Sequence, residues 1–158
     1  MSTILIATDG SDPARAAAET GLDLARCLGD RVVFAAVWHP VYTSTFGVPP
    51  TYFGPEIVEA ERQWAQDALA QAAEQAAAAG VDAETVLLEG SPAPEICRYA
   101  ADHHVRMIVI GSHGWGTFRS IVSRSTLSGV LAHAPCPVLS GTPVAVTAAH
   151  ADAERQTA

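Results

Sequence analysis

A glycine-rich segment in the last third of the chain carries the residue types that suit phosphate binding. It runs from Gly111 to Thr126 and follows the apolar run Met107–Ile110. Glycines let a backbone approach a phosphate closely, and hydroxyl and free N–H groups at a helix start donate hydrogen bonds to anionic oxygens. Arg119 and Arg124 would add positive charge. The segment therefore predicts an anion site, followed by a helix from about Ser125 to His133.

Two common phosphate motifs are absent from the chain. It has no GxxxxGK[ST] sequence, and all nine of its basic residues are arginine, which disfavours a lysine-dependent nucleoside triphosphatase. No GxGxxG sequence follows the first predicted strand, which disfavours a dinucleotide-dependent dehydrogenase. Glycines after a strand are also frequent in plain turns. From its own spacing, the segment is compatible with either a nucleotide site or an ordinary turn.

Several polar residues have both a structural and a functional interpretation. Asp9 follows an apolar run and precedes a Gly-Ser pair, where a carboxylate commonly closes a turn or caps a helix, although it could equally contact a ligand. His113 could touch phosphate or lie in solvent. Ser125 and Thr126 could cap the last helix, bind phosphate, or do both. The histidines lack metal-ligand spacing and no GxSxG sequence is present, so we expect no metal site and no enzyme activity beyond, at most, a weak ATPase.

Short apolar runs alternate with helical patterns along the chain. This order predicts an α/β fold with a parallel sheet covered by helices on both faces. Ligands of such sheets bind beyond the carboxyl ends of the strands, where the strand order reverses, so the turn Thr8–Gly10 and the segment Gly111–Thr126 should meet. The predicted strands are Thr3–Ala7, Arg31–Trp38, Val81–Leu88 and Met107–Ile110, and the predicted helices are Ala14–Leu28 (capped by Ser11 or Asp12), Glu56–Ala79, Pro92–His104 and Ser125–His133.

Composition and charge narrow the class of protein. The chain has 158 residues, 49% of them apolar, which fits one domain with one core. Its net charge of −8 gives no general attraction to nucleic acid, so we expect no nucleic-acid partner. No apolar run approaches the roughly 20 residues of a membrane span, and no signal peptide is evident, so we expect a cytoplasmic protein with no membrane partner. The three cysteines form no CxxC pair, and we expect each to be a small buried apolar residue.

Two segments lack a strong helix or strand pattern. Residues His39–Pro55 hold four prolines and several aromatic residues, which predicts a long loop. That loop could cover a ligand or pack at a dimer interface, and we favour packing. Residues 146–158 are small and polar, so we expect a flexible tail after a domain that spans residues 1–145.

Four pieces of the chain resemble the universal stress protein family, over about residues 2–140. They are Ile4–Ser11 (ILIATDGS), the strand ending at Val37, Gly111–Gly114 (GSHG) and His133–Leu139 (HAPCPVL). The resemblance implies a doubly wound, five-stranded parallel sheet with strand order 3-2-1-4-5. It also implies homodimers formed through the last strand, and an adenine nucleotide site that many, though not all, family members use for ATP.

Nucleotide-binding members of this family carry the pattern G-x-x-G, nine residues, then G-[S/T]. Gly111, Gly114 and Ser125 match this pattern, whereas Arg124 stands where the family has glycine. A side chain at that position could strain the backbone or crowd the ligand, or the arginine could neutralise phosphate charge. A second departure is Trp115, where the family often has arginine or lysine.

The resemblance implies a set of binding residues on two loops. Those on the adenosine side are Ala7, Thr8, Asp9 and Val37, and those on the phosphate side are Gly111, Ser112, His113, Gly114, Arg124, Ser125 and Thr126. Our first hypothesis is an ATP-binding signalling module of the stress response, in which Mg²⁺ would accompany the nucleotide. The second is a nucleotide-free stress protein that acts through protein contacts, with Arg124 filling the phosphate site. A slow ATPase ranks last, because no residue is specified to position a water.

Overall fold

Five strands and four helices alternate along the part of the chain that the structure describes. The computed structural model describes residues 2–38, 55–112 and 120–141. For residues 55, 57 and 120–125 it describes the backbone alone. The strands are β1 (Thr3–Ala7), β2 (Arg31–Trp38), β3 (Ala83–Glu89), β4 (Met107–Gly111) and β5 (Val138–Gly141), and the helices are α1 (Asp12–Leu28), α2 (Pro55–Ala78), α3 (Pro92–Asp102) and α4 (Ser120–His133). The predicted α/β fold is confirmed, and apart from α4 the predicted elements agree with the structure to within a turn at their ends.

All five strands are parallel and form one sheet in the order β3-β2-β1-β4-β5, as the family resemblance implied. β1 is the central strand, since Leu5 pairs with Val33 of β2 on one side and with Ile108 of β4 on the other. The chain moves outward from β1 to β3 and then returns to place β4 on the opposite side of β1. The strand order therefore reverses between β1 and β4, and the carboxyl ends of these two strands form the switch point.

Helices cover both faces of the sheet, and successive residues of β1 enter two different cores. Ile4 and Ile6 belong to the core between the sheet and helices α1 and α2. Leu5 and Ala7 belong to the core between the sheet and helices α3 and α4. A strand that is buried on both faces needs apolar residues at every position, which explains why Thr3–Ala7 shows an apolar run instead of an alternating pattern.

Small residues let α1 lie close to the sheet. A Cβ atom placed on Gly21 would lie 2.8 Å from Cδ1 of Ile6. At the start of the helix, the Ser11 hydroxyl accepts a hydrogen bond from the Ala14 N–H, so Ser11 is the N-cap. At the end, Gly29 adopts the left-handed conformation with φ 66°, which glycine reaches without strain. Both predicted end signals of this helix are confirmed.

The start of α4 differs from the prediction. The helix begins at Ser120 and not at about Ser125. Between Ser120 and Gly129 the sequence contains neither proline nor glycine, so no residue opposes an earlier start. Arg124 and Ser125 consequently lie in the second turn of α4. Ser125 and Thr126 cannot be its N-cap, and that part of the prediction is wrong.

Burial of the cysteines agrees only partly with the expectation. Cys97 is buried and Cys136 is half-buried, but Cys27 is exposed. The buried face of α1 ends at Ala25, which leaves Cys27 and its neighbour Leu28 on the outer side of the last turn. The expectation of three buried cysteines is therefore wrong for Cys27. Burial raises the pKa of the Cys97 and Cys136 thiols, which favours their protonated form.

Within the residues described, no helix is both long enough and apolar enough to cross a membrane. The loop predicted at His39–Pro55 lies outside the described residues except for its last position, and the predicted tail at 146–158 lies wholly outside them.

Candidate ligand site at the carboxyl edge of the sheet

The two loops expected to form a site leave the sheet side by side. Ala7, the last residue of β1, pairs with Ile110 of β4. The turn that begins at Thr8 and the segment that begins at Gly111 therefore start on adjacent strands. The first turn leads to α1 on one face of the sheet, and the second leads to α4 on the other face. This divergence opens the edge between them, as expected for a switch point.

Hydrogen bonds within the turn after β1 fix its shape. The Thr8 N–H donates to the Ala35 carbonyl at 2.9 Å, which extends the pairing of β1 with β2 by one residue. The Thr8 hydroxyl accepts from the Gly10 N–H at 3.2 Å. The Asp9 carboxylate accepts from both the N–H and the hydroxyl of Ser11. Asp9 thus has the turn-closing role that is common for aspartate, while a ligand role for its carboxylate stays a prediction.

Gly111 is required by the packing of α1. A Cβ atom at this position would lie 2.8 Å from the carbonyl carbon of Pro13 and 2.9 Å from the nitrogen of Ala14. Both are backbone atoms in the first turn of α1, so neither can move aside as a side chain would. The glycine is thus needed at this position whether or not the backbone approaches a phosphate.

Ser112 uses its hydrogen-bond donors within the sheet. Its N–H donates to the Gly141 carbonyl at 2.7 Å, and its hydroxyl donates to the same oxygen at 2.8 Å. Gly141 is the last residue of β5, so these bonds hold the start of the glycine-rich segment against the edge strand. In this arrangement neither donor of Ser112 points to a ligand on the β1 side.

Ala7 and Val37 lie together on the face of the sheet that α3 and α4 cover. Ala7 is buried in the core on that face, and Val37 is half-buried and packs against it. Ile110 of β4 belongs to the same core. These three side chains form an apolar surface on the side of the site that α3 and α4 cover, which suits a planar base more than a phosphate.

The remaining predicted residues lie only partly within the described structure. His113 and Gly114 fall outside it, and for Arg124 and Ser125 it gives their place in α4 without their side chains. Thr126 is half-buried in the same helix and takes part in an interaction within the chain. Whether these five residues meet a ligand stays a prediction.

The helix starts at this edge differ in their suitability for an anion. The start of α1 is already capped by Ser11 and has Asp9 and Asp12 beside it. The start of α3 contains Pro92 and Pro94, which have no N–H to donate, and carries Glu95 in its first turn. The first turn of α4 has no acidic residue. Of these three helices, α4 thus offers the most favourable N-terminus for a phosphate.

Two cavities formed by the described residues lie elsewhere in the fold. A cavity of about 390 Å³ lies between α2 and β3, lined by residues that include Leu69 and Leu87. A second, of about 280 Å³, lies near Asp30 and Gly80 at the opposite end of the sheet. Within the described ranges, no group of three histidine, cysteine, aspartate or glutamate residues is placed to hold a metal ion.

Comparison with known proteins identifies the family. A model of the universal stress protein family matches residues 1–140. The chain belongs to the universal stress protein family. A Thermus aquaticus relative, described as a universal stress protein in the QAH/OAS sulfhydrylase 3' region, is 37% identical over 141 residues, covering 88% of this chain and 97% of the relative. Universal stress protein YxiE of Bacillus subtilis is 30% identical over 144 residues, covering 88% and 97%.

Solved universal stress protein structures share the fold. UspA from Lactobacillus plantarum superposes with a TM-score of 0.72 at 28% identity, covering 89% of this chain and 97% of that one. An Archaeoglobus fulgidus protein of the family in complex with dAMP has a TM-score of 0.64 at 22% identity, covering 89% and 98%. An Arabidopsis thaliana protein of the family with AMP bound has a TM-score of 0.63 at 20% identity, covering 92% and 94%.

Sequence reasoning did not anticipate the neighbours that shape this universal stress protein site. Pro13 and Gly141 were not expected to take part, yet Pro13 fixes the need for Gly111 and Gly141 accepts both bonds from Ser112. The proline at the start of α1 was visible as a helix-start signal. Nothing in the sequence indicated that this helix start would contact the end of β4.

Proposed function

We propose that this universal stress protein is an adenine-nucleotide-binding module that holds ATP at its switch point. The observation that carries the proposal is the pairing of Ala7 with Ile110, which starts the turn at Thr8 and the segment at Gly111 on adjacent strands. The ligands named for the A. fulgidus and A. thaliana structures, dAMP and AMP, support an adenine nucleotide as the ligand class. Nucleotide occupancy would then change the dimer or the choice of protein partner during stress.

Charge and polarity suggest how the nucleotide would be oriented. The base would lie over the ends of β1 and β2, beside Ala7 and Val37, where the surface is apolar. The phosphates would lie toward the start of α4, away from Asp9 and Asp12. Mg²⁺, if it accompanies ATP, would be held mainly by phosphate oxygens, as is usual for this ion.

The role of the Arg124 side chain distinguishes this function from its alternative. In the alternative, the protein binds no nucleotide and acts through protein contacts, with the Arg124 guanidinium in the phosphate position. An arginine in the second turn of α4 could instead pair with the phosphates. The two functions therefore make opposite predictions for removal of this side chain.

The test measures bound and added nucleotide. Purified protein is denatured, the supernatant is chromatographed for released nucleotide, and refolded or nucleotide-stripped protein is titrated with ATP in a calorimeter. We expect adenine nucleotide in the supernatant and heat on titration. No released nucleotide together with no heat at millimolar ATP would refute the proposed function.

Two arginine variants then assign the role of Arg124. Arg124→Gly should weaken ATP binding if the guanidinium is a ligand, and should create or strengthen binding if it blocks the site. Arg26→Gly is the matched control, because Arg26 is an exposed helical arginine in the last turn of α1, at the opposite end of the sheet. The control removes the exposed ion pair with Asp23 and a 3.3 Å hydrogen bond to the Ala79 carbonyl, and it should leave ATP affinity unchanged.

We also propose a homodimer through β5, as the family resemblance implies. β5 is an edge strand of the sheet, and its residues are half-buried or exposed. Leu131 on the preceding helix is 58% exposed and would lose this exposure in such an interface. Light scattering should show a dimer that Leu131→Glu weakens. Leu28→Glu, at the other exposed leucine of the described residues, should leave the dimer intact, and equal effects of both variants would argue against this interface.

A further inference from the structure

Helix α2 extends far beyond the carboxyl edge of the sheet. Ala68 of α2 lies at the height of Gly10 in the turn after β1, because a Cβ atom on Gly10 would lie 3.3 Å from Cβ of Ala68. The residues of α2 that precede Ala68 begin at Pro55, so at 1.5 Å per residue they rise about 20 Å above the turn after β1. Of the α2 residues whose burial is described, those before Ala65 are exposed or half-buried, which agrees with an upper part that no longer packs on the sheet.

One flank of α2 faces α1 and the turn after β1. Ala68 lies against Gly10, and the Gln75 side-chain amide donates to the Arg15 carbonyl of α1 at 3.0 Å. Trp64 lies four residues before Ala68, and such pairs are neighbours on a helix surface. The indole therefore belongs to the same flank, about 6 Å above the level of Gly10. It is half-buried at this height.

The charged residues near this position are mostly acidic. Asp9 closes the turn below Trp64, and Asp12 follows it in the first turn of α1, where it forms an ion pair with Arg15. Glu61 lies seven residues before Ala68, which places it on nearly the same line of the helix, one turn above Trp64. The charge summed over these three carboxylates and Arg15 is still negative, which favours an uncharged, planar group over an anionic one.

We infer that Trp64 is a specificity-determining residue that covers the base of the bound nucleotide. The inference rests on the proposed function. Val37 and Ala7 would contact the base from the layer of α3 and α4, and Trp64 would contact it from the layer of α2. The ring would select a ligand with an aromatic base over a ribose phosphate without one, because stacking acts on the base alone.

The experiment compares AMP with ribose 5-phosphate, which lacks the base. Affinities are measured by displacement of a fluorescent AMP analogue from the full chain. Trp64→Ala should weaken AMP binding roughly 5- to 150-fold, the range found when one stacking side chain is removed, and should leave ribose 5-phosphate binding unchanged. Trp64→Phe should stay within a few-fold of the unmutated protein for both ligands. Gln66→Ala, on the opposite flank of α2 beside β3, is the matched control and should change neither affinity.

A second measurement uses the tryptophan fluorescence of the protein. The chain has three tryptophans, one of which is Trp64. A base stacked on this indole should quench part of the emission when AMP is added, and that part should be lost in Trp64→Phe. Circular dichroism melting of each variant separates a binding effect from a loss of folded protein.

The outcomes distinguish the inference from the function it rests on. Unmutated protein that binds neither ATP nor AMP would overturn both. Unmutated protein that binds AMP, with Trp64→Ala binding it equally well, would overturn the inference alone. Equal weakening of AMP and ribose 5-phosphate by Trp64→Ala would also overturn it, because that result means that Trp64 serves only contacts within the protein.

Discussion

Gly129 of α4 packs closely against α3, and its substitution tests how these helices pack. A Cβ atom on Gly129 would lie 2.6 Å from Cβ of Ala93 in the first turn of α3, and among the described residues no other atom outside its own helix neighbourhood would lie within 4 Å. Carbon atoms in contact normally stay about 3.5–4.0 Å apart, so the overlap is about 1 Å or more. The expected clash therefore involves one pair of methyl groups.

The magnitude follows from two opposing terms. Overpacking of this kind costs about 1–3 kcal/mol, whereas replacing glycine by alanine inside a helix gains about 1 kcal/mol. Gly129→Ala should thus lower the free energy of unfolding by about 0–2 kcal/mol, the difference of these terms. Ala93→Gly alone should cost about 0.5–1 kcal/mol through helix propensity. Combining them removes the overlap, so the double variant should return close to the stability of the unmutated protein.

Urea unfolding followed by far-ultraviolet circular dichroism measures all four proteins of the cycle. We expect a favourable coupling of about 1–3 kcal/mol between the two substitutions, equal to the overlap that the double variant relieves. Gly29→Ala is the control: Gly29 has a positive φ of 66°, so alanine is strained there, but a Cβ would meet no described atom within 4 Å, and the substitution should show no coupling to Ala93→Gly. A coupling below about 0.5 kcal/mol at Gly129 would refute the close approach of α3 and α4.

Three further predictions test other parts of the structure. Gly111→Ala should lower the free energy of unfolding by about 1–3 kcal/mol, because its Cβ would collide with the backbone of Pro13 and Ala14; unchanged stability in urea would contradict this packing. Asp30→Ala should lower the free energy of unfolding by about 1–3 kcal/mol, because it leaves the Ser2 N–H without its 2.9 Å acceptor and removes the 2.9 Å ion pair with Arg106. That ion pair lacks the alignment of a hydrogen bond. Asp23→Ala, which removes an exposed ion pair, should lower the free energy of unfolding much less. Iodoacetamide at about pH 8 should alkylate exposed Cys27 before half-buried Cys136 and buried Cys97 in the native protein, because burial raises the pKa of the latter two thiols and limits access to them. Peptide mass spectrometry showing modification of Cys97 before Cys27 would contradict this.

The parts of the fold that sequence reasoning predicted best are those with two independent local signals. β1 is an apolar run with a turn after it, and α1 has a capping serine at its start and Gly29 at its end. Both elements were predicted with nearly correct bounds. The start of α4 was predicted five residues too late, because the prediction rested on Ser125 as a capping residue, whereas the helix begins at Ser120, directly after Arg119 in the sequence, and arginine is not a residue type that marks helix starts.

Tertiary packing accounts for what could not be predicted at the site. The sequence indicated that Ser112 could donate to phosphate, but the donors of Ser112 bond to Gly141, 29 residues later in the chain. Cysteine is usually a buried residue type, but Cys27 lies on the outer side of α1 because the small residues of α1 pack toward the sheet. Both outcomes depend on which face of an element meets a neighbour, and no local pattern specifies that.

The packing of Gly111 changes how the nucleotide motif should be interpreted in this chain. Gly111, the first glycine of the motif, is required by the first turn of α1, so it would be needed even in a protein that binds no nucleotide. Its presence therefore does not distinguish the ATP-binding function from its alternative. The distinction rests on residues that the fold itself does not demand, chiefly Gly114 and Arg124. A decisive comparison thus measures both stability and ATP affinity: Gly111→Ala should lower both, whereas Arg124→Gly should change ATP affinity, in either direction, by more than Arg26→Gly does.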